Sequence, residues 1–135
     1  MTYWDDSLLI GVPLIDRQHR ALVSALDTLT EECARGKWPD TIEKTLNFII
    51  AYTKEHFADE ERVQAECGFP EMEAHKRMHA DLILQVSLLV DELQKSGRSI
   101  DLFTKINKAL VDWVIHHIGA EDKKIGLFIQ SKGEI

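Results

Sequence analysis

Breaks in regular structure are scarce in this chain, and their placement decides what the rest of it can become. Seven glycines and three prolines are spread over 135 residues, and most of them gather at Gly36/Pro39, Gly68/Pro70, Gly97 and Gly119. Four long uninterrupted stretches remain, from about Asp16 to Arg35, Pro39 to Glu66, Glu71 to Ser96 and Ser99 to Ile118. Such stretches are too long for strands; as helices, at about 1.5 Å per residue, they span roughly 30 to 40 Å. The links between them are short, so consecutive helices must run antiparallel. The chain is therefore predicted to be all-α, an antiparallel up-down-up-down four-helix bundle over residues 16–118. An N-terminal arm (1–15) precedes it and a short C-terminal segment (119–135) follows it. With 44% hydrophobic residues, 135 residues suffice for one core and one domain.

Each stretch carries the seam that a bundle helix needs, with spacings alternating between three and four. The first shows Ile15, His19, Leu22, Leu26, Leu29 and Cys33. The second shows Ile42, Leu46, Ile49, Thr53, His56, Glu60 and Val63. Met72, His75, His79, Leu82, Val86, Leu89 and Leu93 form the third seam, and Phe103, Ile106, Leu110, Trp113 and His117 the fourth. Five histidines and a glutamate thus face the core. Burying a carboxylate and several imidazoles in a small apolar interior is costly unless they are paired or bind metal.

Topology sharpens the anomaly. His19 lies near the start of its helix, His56 and Glu60 near the end of theirs, His75 and His79 near a start and His117 at an end. In an up-down-up-down bundle these places share one end, so all six groups can converge. A lone seam histidine is more often a hydrogen-bonded core residue than a ligand, and HxxxE or HxxxH alone says only that two side chains share a face. Six groups in register reverse that preference. His116 faces away from the seam and is expected at the surface. Asp122 follows His117 by five residues, a spacing that leaves the face of a continuous α-helix; a bend at Gly119 would let its carboxylate return to the cluster.

Seven donors exceed what one tetrahedral zinc needs and suit two metal ions sharing carboxylate bridges. Imidazole accepts iron, zinc, copper or nickel, so these residues alone do not select among them. Ferritin-like sites use several glutamates with Glu-x-x-His pairs, a pattern missing from this sequence.

Composition closes other routes. Sixteen basic against 23 acidic residues give a net charge of -7, which repels nucleic acid and anionic membrane surfaces. No apolar run approaches the roughly 20 residues needed to span a bilayer. Met1-Thr2-Tyr3-Trp4-Asp5-Asp6 lacks the basic start of a secretion signal, so a cytoplasmic location is expected. Cys33 and Cys67 form no CxxC and read as reduced thiols.

Taken together, several segments resemble the hemerythrins, specifically the single-domain bacterial type called bacteriohemerythrins. They are the Trp4-Asp5-Asp6-Ser7 arm, Ile15-Asp16-Arg17-Gln18-His19, His56-Phe57-Ala58-Asp59-Glu60-Glu61, Phe69-Pro70, His75-Lys76-Arg77-Met78-His79, and Trp113 ahead of His117-Ile118-Gly119-Ala120-Glu121-Asp122. The likeness spans nearly the whole chain. It implies a non-haem di-iron centre of two iron ions with a bridging oxo or hydroxo group. By that resemblance His75, His79 and His117 hold one iron, His19 and His56 hold the other and leave it an open position, and Glu60 and Asp122 bridge the two. It further implies reversible O2 binding, for storage, delivery or sensing, rather than enzymatic turnover. A histidine-rich donor set supplies little negative charge to stabilise higher-valent iron, which disfavours O–O cleavage.

The chain departs from the family pattern at two places: Val114 where leucine is common one turn before the last histidine, and Gln64 where methionine often follows the glutamate pair. Val114 is expected to leave more room beside the open iron, and Gln64 to be a surface residue. A di-iron oxidase, peroxidase or nitric oxide-handling enzyme on the same ligands is the alternative, as is a metal-dependent signalling module holding zinc. Beyond O2, a second copy of the chain or a separate signalling or redox protein are the partner classes left open, with Leu127, Phe128 and Ile129 as apolar residues that could cover the bundle or meet another copy.

Overall fold

The computed structural model describes residues 2–132; Met1 and residues 133–135, the outermost parts of the arm and of the C-terminal segment, lie outside the described residues. Four long helices account for most of the chain: α1 (Pro13–Ala34), α2 (Pro39–Cys67), α3 (Met72–Ser96) and α4 (Ile100–His117). A π-helical turn (Ile118–Asp122) leads from α4 into a final helix, α5 (Lys123–Ser131), and a 3-10 turn (Asp6–Leu8) interrupts the arm. No strand occurs among the described residues. Helix α1 packs on α2 and α4, and α3 packs on the same two, which closes the antiparallel four-helix bundle.

The punctuation behaves as its chemistry requires. Gly68 ends α2 at φ 71°, a left-handed conformation that glycine adopts without a Cβ penalty, and Phe69 N–H donates to the Gln64 carbonyl at 2.9 Å to finish the cap. Ser99 accepts from Leu102 N–H at 3.1 Å and opens α4. Helix α1 starts at Pro13 rather than near Asp16, because a proline in the first turn lacks only an N–H that would have no helical partner there. The carboxylate of Asp16 is thereby freed to accept from the backbone N–H groups of Ile10 (2.7 Å) and Gly11 (3.1 Å), which pins the arm to the start of the bundle.

From that anchor the arm runs back along α1, where Tyr3 N–H donates to Asp27 at 2.8 Å and the Tyr3 hydroxyl meets Thr30 at 3.1 Å. Thr30 also accepts from the buried Asn107 amide at 2.9 Å, a polar link inside the aliphatic half of the core. Most of the rest of that half is Leu, Ile, Val and Phe, with Leu26, Ile42, Ile49 and Ile106 fully buried beside Cys33 and Thr53.

The seams are buried as read, with Val63, Met72, Leu89 and Trp113 only partly so. Gln64 corrects the sequence reading: it is 0% exposed, not a surface residue, because four residues after Glu60 it stays on the inward face of α2. The C-terminal segment is likewise more ordered than a simple tail. Ile125 and Ile129 of α5 are buried against Cys67 and Phe69, while Leu127 remains 63% exposed.

Gly126 is what lets α5 lie against the arm. A Cβ there would stand 1.8 Å from the Ile10 carbonyl oxygen and 2.9 Å from its carbon, a clash with backbone that no rotamer relieves. At Gly119 the same addition meets only Leu8 Cδ2 at 3.8 Å, an ordinary contact. Gly126→Ala is therefore predicted to destabilise the fold by about 1–3 kcal/mol. Gly119→Ala should be neutral or gain roughly 0.5–1 kcal/mol from the entropy glycine no longer loses. Thermal unfolding of the two variants side by side checks the contrast.

Candidate metal centre

All seven predicted side chains meet at one end of the bundle. His19, Glu60 and Asp122 are 0–1% exposed, and His56, His75, His79 and His117 lie between 2 and 4%. His116, the neighbour of His117, is exposed, as its position off the seam requires.

Asp122 reaches the cluster by a route other than a bend. The chain passes Gly119 without leaving helical conformation, and Ile118–Asp122 form a π turn. A π turn accommodates one residue more than an α turn, so a spacing of five, which fails on an α-helix, brings Asp122 back beneath His117. The two sit on one face because the helix is locally widened.

The carboxylates divide the cluster between their two oxygens. Glu60 Oε1 lies 2.8 Å from His75 Nε2 and 3.1 Å from His79 Nε2, whereas Glu60 Oε2 lies 3.2 Å from His56 Nε2 and 3.5 Å from His19 Nε2. Asp122 repeats the pattern: Oδ1 is 2.8 Å from His75 Nε2 and 3.0 Å from His117 Nε2, and Oδ2 is 3.0 Å from His19 Nε2. Two overlapping donor groups result, Glu60/His75/His79/His117/Asp122 and His19/His56/Glu60/Asp122. Within each, the ligand atoms all lie within 4.8 Å of one another.

Outer contacts fix how the imidazoles present themselves. Asp59 only accepts, so the Gln18 amide nitrogen turns to it at 2.7 Å, and the Gln18 oxygen is left facing His56 Nδ1 at 2.7 Å. His56 must then carry its proton on Nδ1 and offer the bare Nε2 lone pair inward. His79 does the same through Nδ1, which donates to Glu61 Oε2 at 2.9 Å. Ring stacking holds the planes: Phe57 lies parallel to His79 with centroids 3.7 Å apart, and Trp113 stacks on His117 at 4.2 Å. Gln18, Asp59, Glu61 and Phe57 stood in the recognised motifs with no role assigned to them; adjacency to a ligand (Gln18 to His19, Asp59 and Glu61 to Glu60) was the only sequence signal they gave.

The donor set fits a pair of metal ions better than it fits a network of protons. His75 Nε2 and His117 Nε2 face each other at 3.0 Å, and His19 Nε2, His79 Nε2 and Glu60 Oε2 complete no hydrogen bond although they are buried. His79, held from outside by Glu61 and with Nε2 unpaired inside, shows most plainly the arrangement a metal ligand needs. Nitrogen and oxygen donors of this kind suit iron, zinc, copper or nickel.

Electrostatics without metal run in one direction. Burial works against a charged His19, but the adjacent Asp122 and Glu60 carboxylates outweigh it and lift its pKa to about 9; the same balance raises His75 to about 9. Burial and the charge of Glu60 would raise Asp122, yet its contacts with His117, His19 and His75 prevail and hold it at about 2. Glu60 is pulled well below the ordinary carboxylate range, its burial overcome by four surrounding histidines.

These shifts set a pH dependence. In metal-free protein, His19 and His75 bind protons more tightly when folded than at their unfolded value of 6.5, so their contribution is complete below pH 6.5 and fades as the pH rises through 9. Asp122 contributes above pH 3.8 and loses its contribution as the pH falls through 2. The metal-free melting temperature is thus predicted to fall between pH 6.5 and 9. Metal must displace the same protons, so added metal should raise the melting temperature more at pH 9 than at pH 6. Melting curves at both pH values, with and without metal, check both signs.

The family profile of the hemerythrin HHE cation binding domain matches residues 10–127. A bacteriohemerythrin of Stenotrophomonas maltophilia is 30% identical over 120 residues, covering 89% of this chain and 76% of that protein. One from Pseudomonas aeruginosa is 29% identical over 119 residues (88% and 75%), and one from Campylobacter jejuni is 26% identical over 134 residues, covering 98% of both chains. The profile match takes in α1 to α4 and the π turn, every element that contributes to the cluster, and on that footing the chain belongs to the hemerythrin family.

Proposed function

We propose that this protein binds O2 reversibly at a non-haem di-iron centre, for storage, delivery or sensing, and does not turn it over. The observation that carries the reading is the division of each carboxylate between two histidine groups of unequal size. His75, His79 and His117 would hold one iron, His19 and His56 the other, and Glu60 and Asp122 would bridge them together with an oxo or hydroxo group from solvent. Iron held by these residues would supply reversible electron exchange with O2.

The chain's own residues do the rest. Three histidines with two carboxylates would hold one iron more completely than two histidines with the same carboxylates would hold the other, so the second is the side that would take O2. Val114 and Ile118, both 2% exposed, belong to the buried apolar core, and their neighbourhood in sequence to His117 suits them to keep bulk water and acids from the centre. The outward hydrogen bonds of His56 and His79 through Nδ1 orient the rings so that Nε2 faces the centre. No helix of the described residues is long and apolar enough to cross a membrane. A protein that only binds O2 needs a reductant solely to recover oxidised iron, which a separate redox protein would supply.

Reduced, iron-reconstituted protein is predicted to develop a visible absorption band when O2 is admitted and to lose it when O2 is removed. Repeated consumption of O2 would instead favour an oxidase, and tight binding of zinc with no response to iron would favour a signalling module. Asp122→Asn is predicted to lower iron content below two per chain while helical circular dichroism persists, since Asn retains the shape but not the second anionic oxygen. Val114→Leu adds a methylene beside the centre and is predicted to slow both O2 release and autoxidation, measured by stopped flow and by decay of the oxygenated band. Unchanged rates would remove Val114 from the account.

A further inference from the structure

The three acids Asp59, Glu60 and Glu61 are consecutive on α2, and the metal centre uses only the middle one. Its neighbours diverge around the helix to different imidazoles. Glu61 Oε2 accepts directly from His79 Nδ1 at 2.9 Å, while Asp59 is separated from His56 by the Gln18 amide, with both hydrogen bonds at 2.7 Å. Asp59 is further neutralised by Arg62, whose Nη1 lies 3.4 Å from Oδ1. The two carboxylates are alike in exposure, 24% for the Asp59 side chain and 29% for Glu61, so solvent screens them similarly. One histidine therefore leans on an anion and the other on a neutral carbonyl.

The difference has an electronic consequence. A hydrogen bond to an ionised acceptor is roughly twice as strong as one to a neutral acceptor. Glu61 draws the Nδ1 proton of His79 outward, which leaves more electron density on Nε2, the atom that faces Glu60 Oε1 and the three-histidine side. Gln18 does this only weakly for His56. Parallel stacking of Phe57 on His79 at 3.7 Å fixes the ring in the plane this hydrogen bond requires.

We propose that Glu61 is a positioning residue that acts through His79 to favour the higher oxidation state of the iron on the three-histidine side, making the two irons electronically unequal. The inference rests on the di-iron reading. It assigns Glu61 a role separate from that of Glu60, although both are acids at successive positions.

Asp59→Asn and Glu61→Gln form a matched pair for the test, because each removes one negative charge from neighbouring positions of similar exposure. Both are made in an Arg62→Gln background, which removes the countercharge of Asp59; if only long-range charge matters, both then shift the midpoint potential to a similar extent. If Glu61 acts through His79, Glu61→Gln is predicted to lower the ratio of oxidised to reduced iron at the midpoint of that background by roughly tenfold, a rise of about 59 mV for one electron. Asp59→Asn should change it far less, and Glu61→Ala, which loses the acceptor altogether, should exceed Glu61→Gln. Equal shifts from Glu61→Gln and Asp59→Asn overturn the proposal.

A second readout does not depend on iron chemistry. In zinc-loaded protein the Nδ1 proton of His79 should resonate further downfield than that of His56, and Glu61→Gln should move the His79 proton upfield while leaving that of His56 in place. Coincident resonances, or no movement, contradict the proposal. If that asymmetry is present but iron never yields a reversible O2 band, the hydrogen-bond inequality stands and the O2 reading fails. If O2 binds reversibly while Glu61→Gln behaves as Asp59→Asn, the O2 reading stands and the role given to Glu61 fails.

Discussion

Two buried carboxylates, each shared between opposite groups of imidazoles, are the constraint to which the rest of this molecule answers. Glu60 and Asp122 come from α2 and from the π turn after α4, and between them they touch histidines from all four bundle helices. Neither could remain ionised at 0–1% exposure unless that many donors were brought to it. Helix lengths, the antiparallel order and the short glycine-ended links are the means by which four separate helix ends are brought to one place. The aliphatic half of the bundle supplies the cohesion that holds a polar cluster inside a chain of this size.

Much of this was legible in the sequence for a physical reason: an α-helix repeats every 3.6 residues, so a residue's place on the seam follows from its number. His19, His56, Glu60, His75, His79 and His117 all sit on seams, and sequence spacing alone sends them inward. What lay off that period was harder to read. Asp122 could be placed only by supposing a bend, because a π turn leaves no signature in composition; the widened turn is a consequence of how α4 and α5 join. Gln64 was misread because the inward face of α2 drifts around the helix, taking in Gln64 fully and leaving Val63 half-buried.

Contacts between helices were out of reach in a different way. The outward hydrogen bonds from His56 to Gln18 and from His79 to Glu61 join residues 38 and 18 positions apart, and no local periodicity encodes a pairing across elements. The same holds for Gly126, whose lack of a side chain is explained only by the Ile10 carbonyl pressed against it. Arm and α5 thus contribute what the four-helix pattern omits: they close the end of the bundle where the polar cluster lies, with Leu8, Ile10, Ile125 and Ile129 all buried there.

The division of the two carboxylates is tested most directly by anomalous-difference crystallography of the iron-loaded protein at the iron edge. Two peaks are predicted, one beside His75, His79 and His117 and one beside His19 and His56, with Glu60 and Asp122 each contacting both. A single peak, or two peaks with either carboxylate bound to only one of them, would contradict the account.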